Sequence, residues 1–344
     1  MVNAMQNPTK APLRWLMQVA FMLIVYLPFL ACAQARFPLN DQTTENRKGE
    51  PPILSAIRAE AEERASHVKT VTRVKALIAT GADVNARDTD GSTVLMMAVD
   101  ADDSDCVKAL IAARADVNAK DNEGHTALEE ASGEFWWNRP HSPKDILGNI
   151  ARLKALIAAG ADVNAKDEFG GTALLSAAEA GSAEKVRLLI AAGADVNVQG
   201  PEGESGVLAA ATSGCFGCAE ALIAAGADVN RKDNDDGTTA LMRVASVNYG
   251  TDDNEAPAVQ TKSINLNLAF LKLLLAAHAN VNLQDNLGNT ALMVAAQYRS
   301  ADQVSALIAS GADVNARNDR GDTALALTKS DQIAAILRSA GATK

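Results

Sequence analysis

The segment GADVN occupies Gly81 to Asn85, Gly160 to Asn164, Gly193 to Asn197, Gly226 to Asn230 and Gly311 to Asn315, with near-copies at Arg114 to Asn118 and His278 to Asn282. Its closing asparagines are spaced by 33, 46, 33, 33, 52 and 33 residues, which is one period with two insertions of 13 and 19. A unit of this size has too much surface for its volume to hold a core alone. Neighbouring units must cover one another, so the period dictates an array rather than a globule.

A second signal runs in the same phase. Eight or nine residues after most of these asparagines comes a threonine followed by a small residue and leucine: Thr93, Thr126, Thr172, Thr239, Thr290 and Thr323. A hydroxyl there can accept from an orphan amide of the first helical turn, a cap worth about 1 kcal/mol. In the unit that starts at Thr172, Leu174, Ala177 and Ala178 form one helical stripe; Gly181 interrupts it, and Val186, Leu189 and Ile190 form another. Gly193 stops the second helix in the left-handed conformation. Arg114 and His278 stand in this glycine slot, so strained or altered helix ends are expected there. Asp88 to Gly91, Asp121 to Gly124, Asp167 to Gly170 and Asp285 to Gly288 are turn formers.

In these residues the chain resembles the ankyrin repeat, over most of Ile53 to Gly341. The resemblance implies an all-α solenoid of about eight units, each a β-hairpin finger followed by two antiparallel helices. The family's usual Pro and His of TPLH are here Ala and Met, Leu, Glu or Ala, so the histidine hydrogen bonds of that motif are not carried over. The units are read as about 51–85, 86–118, 119–164, 165–197, 198–230, 231–282, 283–315 and 316–344, with loop insertions at about 132–148 and 246–264. The last unit is shorter, and its Lys329, Asp331, Gln332 and Arg338 can wet the terminal face.

Of the 344 residues only 4% are aromatic, so the core must be filled by Ala, Leu, Val and Ile. The net charge of −10 is the wrong sign for binding nucleic acid. Lys10 and Arg14 precede an apolar run from Trp15 to Leu30, and Ala31 to Ala35 supply small residues. This reads as a signal peptide over 1–35, giving a periplasmic or secreted chain, with a polar linker over 36–50. Its removal leaves 30 basic against 42 acidic side chains. The other readings of the segment are a retained N-terminal membrane anchor, or a lipoprotein acylated at Cys32.

Binding a protein partner is what the resemblance implies, and the concave face of fingers and first helices is where it is expected. Tip residues Asp90, Phe169, Leu287 and Arg320 are candidate contacts. The first insertion carries Phe135, Trp136, Trp137 and Arg139, residue types that dominate interface energetics, although the rings can equally cover neighbouring helices. The second, with Tyr249, Asp252, Asp253, Asn254, Glu255 and Pro257, reads as a solvated acidic loop. Negative potential favours a partner with a basic or mixed surface.

The chemistry-bearing candidates are few. Cys215 and Cys218 form a CxxC at the start of a second helix, where an exported chain can close a local disulfide. Thiol–disulfide exchange is the enzymatic alternative, but no thioredoxin-like alternation of strand and helix surrounds the motif. Cys106 aligns with Cys218 and reads as a core filler. His67, His125, His141 and His278 are scattered over three units, so neither a catalytic triad nor a metal site is expected. No cofactor motif is present. The reading is a monomeric, non-catalytic binding scaffold; a membrane-tethered adaptor is a further alternative.

Overall fold

In each unit after the first, the first helix begins at a hydroxyl. Thr93, Thr126, Thr172, Thr290 and Thr323 are extended, and each accepts from the amide three residues on, at 3.3 Å from Met96 N and 3.4 Å from Leu175 N in the second and fourth units. Thr239 does the same for Met242 N. The fifth unit uses Ser205, 33 positions after Thr172, whose Oγ lies 3.3 Å from Leu208 N. A search for threonine alone passes over it. The computed structural model describes residues 50–62, 67–133, 143–246, 257–298 and 300–343.

There are eight pairs of helices among the described residues, and the seven caps open all but the first. The pairs are α1 (Pro52–Glu62) with α2 (His67–Ala79), α3 (Val94–Asp100) with α4 (Ser104–Ala112), α5 (Ala127–Ser132) with α6 (Pro143–Ala158), and α7 (Ala173–Glu179) with α8 (Ala183–Ala191). Then follow α9 (Gly206–Thr212) with α10 (Phe216–Ala224), α11 (Ala240–Ser246) with α12 (Pro257–Ala276), α13 (Ala291–Gln297) with α14 (Ala301–Ala309), and α15 (Ala324–Leu327) with α16 (Asp331–Ser339). Every first helix packs on its own second helix and on the first helices of adjacent units; the second helices form a parallel layer in the same way. No described helix is long and apolar enough to cross a membrane.

This layering explains the alanine-rich composition. In α7 the residues Ala173, Leu174, Leu175, Ala177 and Ala178 are all buried, because neighbours press on three sides and only small side chains let the backbones approach. In α8 only Lys185, Val186 and Leu189 are buried, the single stripe of a helix whose other side meets water. One continuous core runs from Ile53 to Leu337. At the C-terminal end Lys329, Asp331, Gln332 and Arg338 are exposed, as a terminal unit requires. The fingers are minimal hairpins, each closed by one antiparallel bridge in five units, such as Arg87 with Thr93 and Lys120 with Thr126.

The recurring asparagine joins units to one another. The side-chain oxygens of Asn85, Asn118, Asn164, Asn197, Asn230, Asn282 and Asn315 accept from the backbone amides of Asp116, Asp162, Asp195, Asp228, Asn280, Asp313 and Thr343, each in the following unit. In five junctions the same side chain also donates, to the carbonyls of Gly160, Gly193, Gly226, Gly311 and Gly341. The aspartate two residues before the asparagine accepts its amide, as Asp195 does at 2.9 Å from Asn197 N, and so sets the turn.

The glycine slot behaves as expected at its two exceptions. Arg114 and His278 are left-handed at φ 63° and 62°, whereas the glycines that receive the asparagine bond lie between 88° and 92°. Rotation of that peptide moves the carbonyl, and at these two junctions only the accepted bond is present. A Cβ at Gly160 or Gly193 would touch nothing within 4 Å, so backbone torsion alone selects glycine there.

Both insertions differ from the expected loops. The stretch 132–148 ends in helix, because α6 starts at Pro143 and runs 16 residues; 246–264 likewise gives way to α12, which starts at Pro257 and runs 20, against nine for α8. Proline at the first helical position has its φ already set and lacks only an amide that has no partner there. Extra helical turns therefore account for part of the added residues, and 134–142 and 247–256 lie outside the described residues.

The interrupted units have their first helices closed from outside. Six residues before the end of the second helices lie Cys106, Arg152, Lys185, Cys218, Phe270, Gln303 and Ile333, all buried. In the fourth unit a tight turn satisfies the end of α7, with Ser182 N on Ala177 O and Gly181 N on Ala178 O, and the following slot holds apolar Cys218. After the insertion-bearing third unit the slot holds Lys185, whose Nζ donates to Ser132 O and Gly133 O at 3.2 Å each. After the sixth, Gln303 donates to Val244 O at 3.3 Å. Arg152 meets Asp102, itself left-handed at φ 60°.

Two stability outcomes follow from these contacts. Arg114→Gly and His278→Gly should each stabilise the array by about 0.5–1 kcal/mol, the left-handed penalty of a Cβ less the greater unfolded-state entropy of glycine; denaturant midpoints check this. Lys185→Met should cost about 2 kcal/mol in the same assay, because two buried carbonyls lose a charged donor.

Candidate functional site

The fingers are stiffened from within by their own aspartates. Asp88 Oδ1 accepts from Asp90 N and Ser92 N, Asp121 Oδ1 from Glu123 N and His125 N, Asp167 Oδ1 from Phe169 N and Gly171 N, and Asp285 Oδ1 from Leu287 N and Asn289 N. Asn318 serves in the last finger. Successive tips are tied by single backbone bonds: Asn122 N to Asp90 O at 3.1 Å, Glu168 N to Glu123 O at 3.0 Å, and Asp319 N to Leu287 O at 3.0 Å. The tip glycine is needed for this approach, since a Cβ at Gly124 would lie 2.9 Å from Glu168 N.

At these junctions the backbone of one tip is thus committed to the next finger. Asp90, Phe169, Leu287 and Arg320 are exposed, Phe169 by 58% and Leu287 by 61%. Phe169 belongs to the fourth finger and Leu287 to the seventh, so the structure does not bring them into one apolar patch. Phe135, Trp136, Trp137 and Arg139 lie outside the described residues, as do Tyr249, Asp252, Asp253, Asn254 and Glu255.

Cys215 and Cys218 are joined by a disulfide. Cys215 caps α10 and is partly open, while Cys218 is buried; between them Phe216 meets Phe270 edge-on, with centroids 5.9 Å apart. The bond clamps a turn that seats one of the few core aromatics. Cys106 is buried and outside any disulfide.

The feature that residue spacing did not single out is a run of carboxylates between fingers and first helices. Glu179, at the end of α7, faces the charges of Glu204 on the fifth finger and Asp167 on the fourth. Glu204 in turn faces Asp233 and Glu202, with Arg243 of α11 as the opposing cation. Protein crowding around the Glu179 carboxyl, then repulsion from Glu204 and Asp167, push it up to about 8. Its side chain is nevertheless exposed on the open side, where solvent screens part of that repulsion. Glu204 is raised by burial, and Asp233 by burial and by its contact with Asp236. Reading the outward positions of the first helices in phase with the finger residues would have found this trough; inspecting each unit separately could not.

Family models described as ankyrin repeats match residues 77–131, 146–233 and 274–327, together more than half of the chain. The chain belongs to the ankyrin repeat family. Among solved structures similar to it is the ankyrin repeat domain of Bcl-3, described as a unique member of the IkappaB protein family. That match has 26% identity and a TM-score of 0.55, and covers 72% of this chain and 99% of that one. No curated protein is significantly similar to the chain in sequence.

The trough charge has a measurable sign. A carboxyl raised in the folded state holds its proton more tightly than in the unfolded chain, so its stabilising contribution is complete below the ordinary glutamate range and is lost as pH rises toward 8. Glu179→Gln should therefore melt close to the wild type at about pH 5 and increasingly above it by about pH 9, in paired thermal scans.

Proposed function

We propose that this chain is a non-catalytic scaffold of the cell envelope that holds a partner protein of basic or mixed surface along the trough between fingers and first helices. Ankyrin repeats generally serve as protein-interaction scaffolds, and the observation that carries the finer reading is the carboxylate run of Asp167, Glu179, Glu204 and Asp233. Such a surface speeds encounter with a positive partner and disfavours an acidic one. A basic group docking there would also let Glu179 release its proton, coupling recognition to pH. Phe135, Trp136, Trp137 and Arg139 follow α5 directly in sequence and supply the apolar anchor that charge alone does not provide. Export rests on the basic residues, apolar run and small-residue stretch of 1–35, and the CxxC disulfide accords with an oxidising compartment.

Crosslinking pull-downs from native envelope extract test the proposal. Recovery of the partner should fall at least tenfold for the double variant Trp136→Ala and Trp137→Ala, and also for Glu204→Lys, with the second loss growing at low ionic strength. Unchanged recovery in both overturns it. Cys215→Ser separates the oxidoreductase alternative: a scaffold keeps its partner, whereas an exchange enzyme loses disulfide-exchange activity. Mass spectrometry of the mature N-terminus distinguishes cleavage near Ala33 or Ala35 from acylation at Cys32 or a retained anchor.

A further inference from the structure

His125 and Glu129 lie in one unit and Asp167 in the next, and stacking brings their ligand atoms within 4.8 Å of one another. We propose that they form a binding site for a divalent ion of the zinc class at the junction of the third and fourth units. This goes beyond the scaffold reading and does not depend on it.

The geometry is built rather than incidental. Asp167 Oδ1 is committed to the amides of Phe169 and Gly171 at 2.8 and 2.7 Å, which aims Oδ2 at the imidazole, 3.5 Å from Nε2 of His125. The other ring nitrogen, Nδ1, lies 3.3 Å from Asp121 Oδ1, the carboxylate partner that orients a metal-binding histidine. Two ligand atoms of a tetrahedral zinc ion, at bond lengths of about 2.0–2.2 Å, stand roughly 3.3–3.5 Å apart. The His125–Asp167 pair already meets this spacing. Glu129 comes from the first turn of α5, where the cap from Thr126 fixes its backbone, and its side chain is nearly buried.

Room for an ion comes from the one finger that lacks a side chain beside it. The position before each capping hydroxyl carries Ser92, His125, Glu204, Thr238, Asn289 or Asp322, but in the fourth unit it is Gly171. A Cβ at Gly171 would stand 2.5 Å from Asp167 Oδ2. Charge points the same way: Asp121, Glu123, Glu129 and Asp167 surround one imidazole, with Glu123 Oε2 3.7 Å from Nδ1. A protonated histidine offsets one of those charges and a divalent ion offsets two. Three protein ligands leave a fourth position open, through which a partner's own histidine or carboxylate can complete the sphere.

The array itself supplies conservative variants. Serine stands at the His125 position in the second unit and asparagine at the Asp167 position in the last, so His125→Ser and Asp167→Asn keep side chains that the repeat already uses. Full-length protein stripped with chelator is titrated with zinc chloride by calorimetry and by thermal melting, with circular dichroism confirming that each variant is folded. One ion should bind per chain and raise the melting temperature. Both variants should weaken binding at least 100-fold, Glu129→Gln about 10- to 100-fold, and the remote His278→Gly not at all. Absence of saturable one-to-one binding by the wild type, or wild-type affinity in folded His125→Ser, overturns the proposal and leaves His125–Asp167 as a direct polar contact between units. A loss of partner recovery in the pull-down without loss of zinc binding bears on the scaffold reading alone.

Discussion

No unit of this chain can exclude water from its own apolar residues, and every other feature of the fold answers to that. The first helices are buried because they have neighbours before and behind; alanine fills them because larger side chains would hold the backbones apart. The second helices need only one apolar stripe. Burial between neighbours is non-directional, however, and alone would allow units to slide or rotate against one another. The asparagine ladder removes that freedom. Each asparagine bonds backbone groups of the next unit, and the finger tips add a second tie on the far side. Each bond is worth only about 0.5–1.5 kcal/mol, so the ladder contributes more to register than to total stability.

Departures from the repeat are compensated at the next unit. Interrupting a unit between its helices removes the turn that satisfies the end of its first helix, and a buried carbonyl without a donor is costly. The donor arrives from the following unit, at a slot that holds Cys106, Cys218, Phe270 or Ile333 in four other units and Arg152, paired with Asp102, in the third. Lys185 and Gln303 are thus hydrophobic positions converted to polar ones by an event tens of residues earlier in the chain. Part of each insertion is helix, starting at Pro143 and Pro257 and lengthening the second layer.

The same stacking assembles both proposed sites at junctions. The carboxylates Asp167, Glu179, Glu204 and Asp233 come from two adjacent fingers, a helix end and a third finger, and they perturb one another only because consecutive units align them. His125, Glu129 and Asp167 meet for the same reason. A trough assembled from one or two residues per unit can vary its charge and its ligands position by position without disturbing the caps, glycines and asparagines that hold the scaffold.

Much of this was legible in the linear chain, because short-range physics governs it. The 33-residue period, the hydroxyl caps, the glycine helix ends and the anomaly of Arg114 and His278 depend on contacts within a few residues. Ser205 keeps the same phase with serine in place of threonine. What residue order could not disclose was the set of contacts with no fixed separation: the ladder role of asparagine, the pairing of Lys185 with Ser132 and Gly133, the carboxylate trough and the approach of His125 to Asp167. Those distances are decided by the rise and rotation between stacked units, and these exist only once the apolar faces have closed.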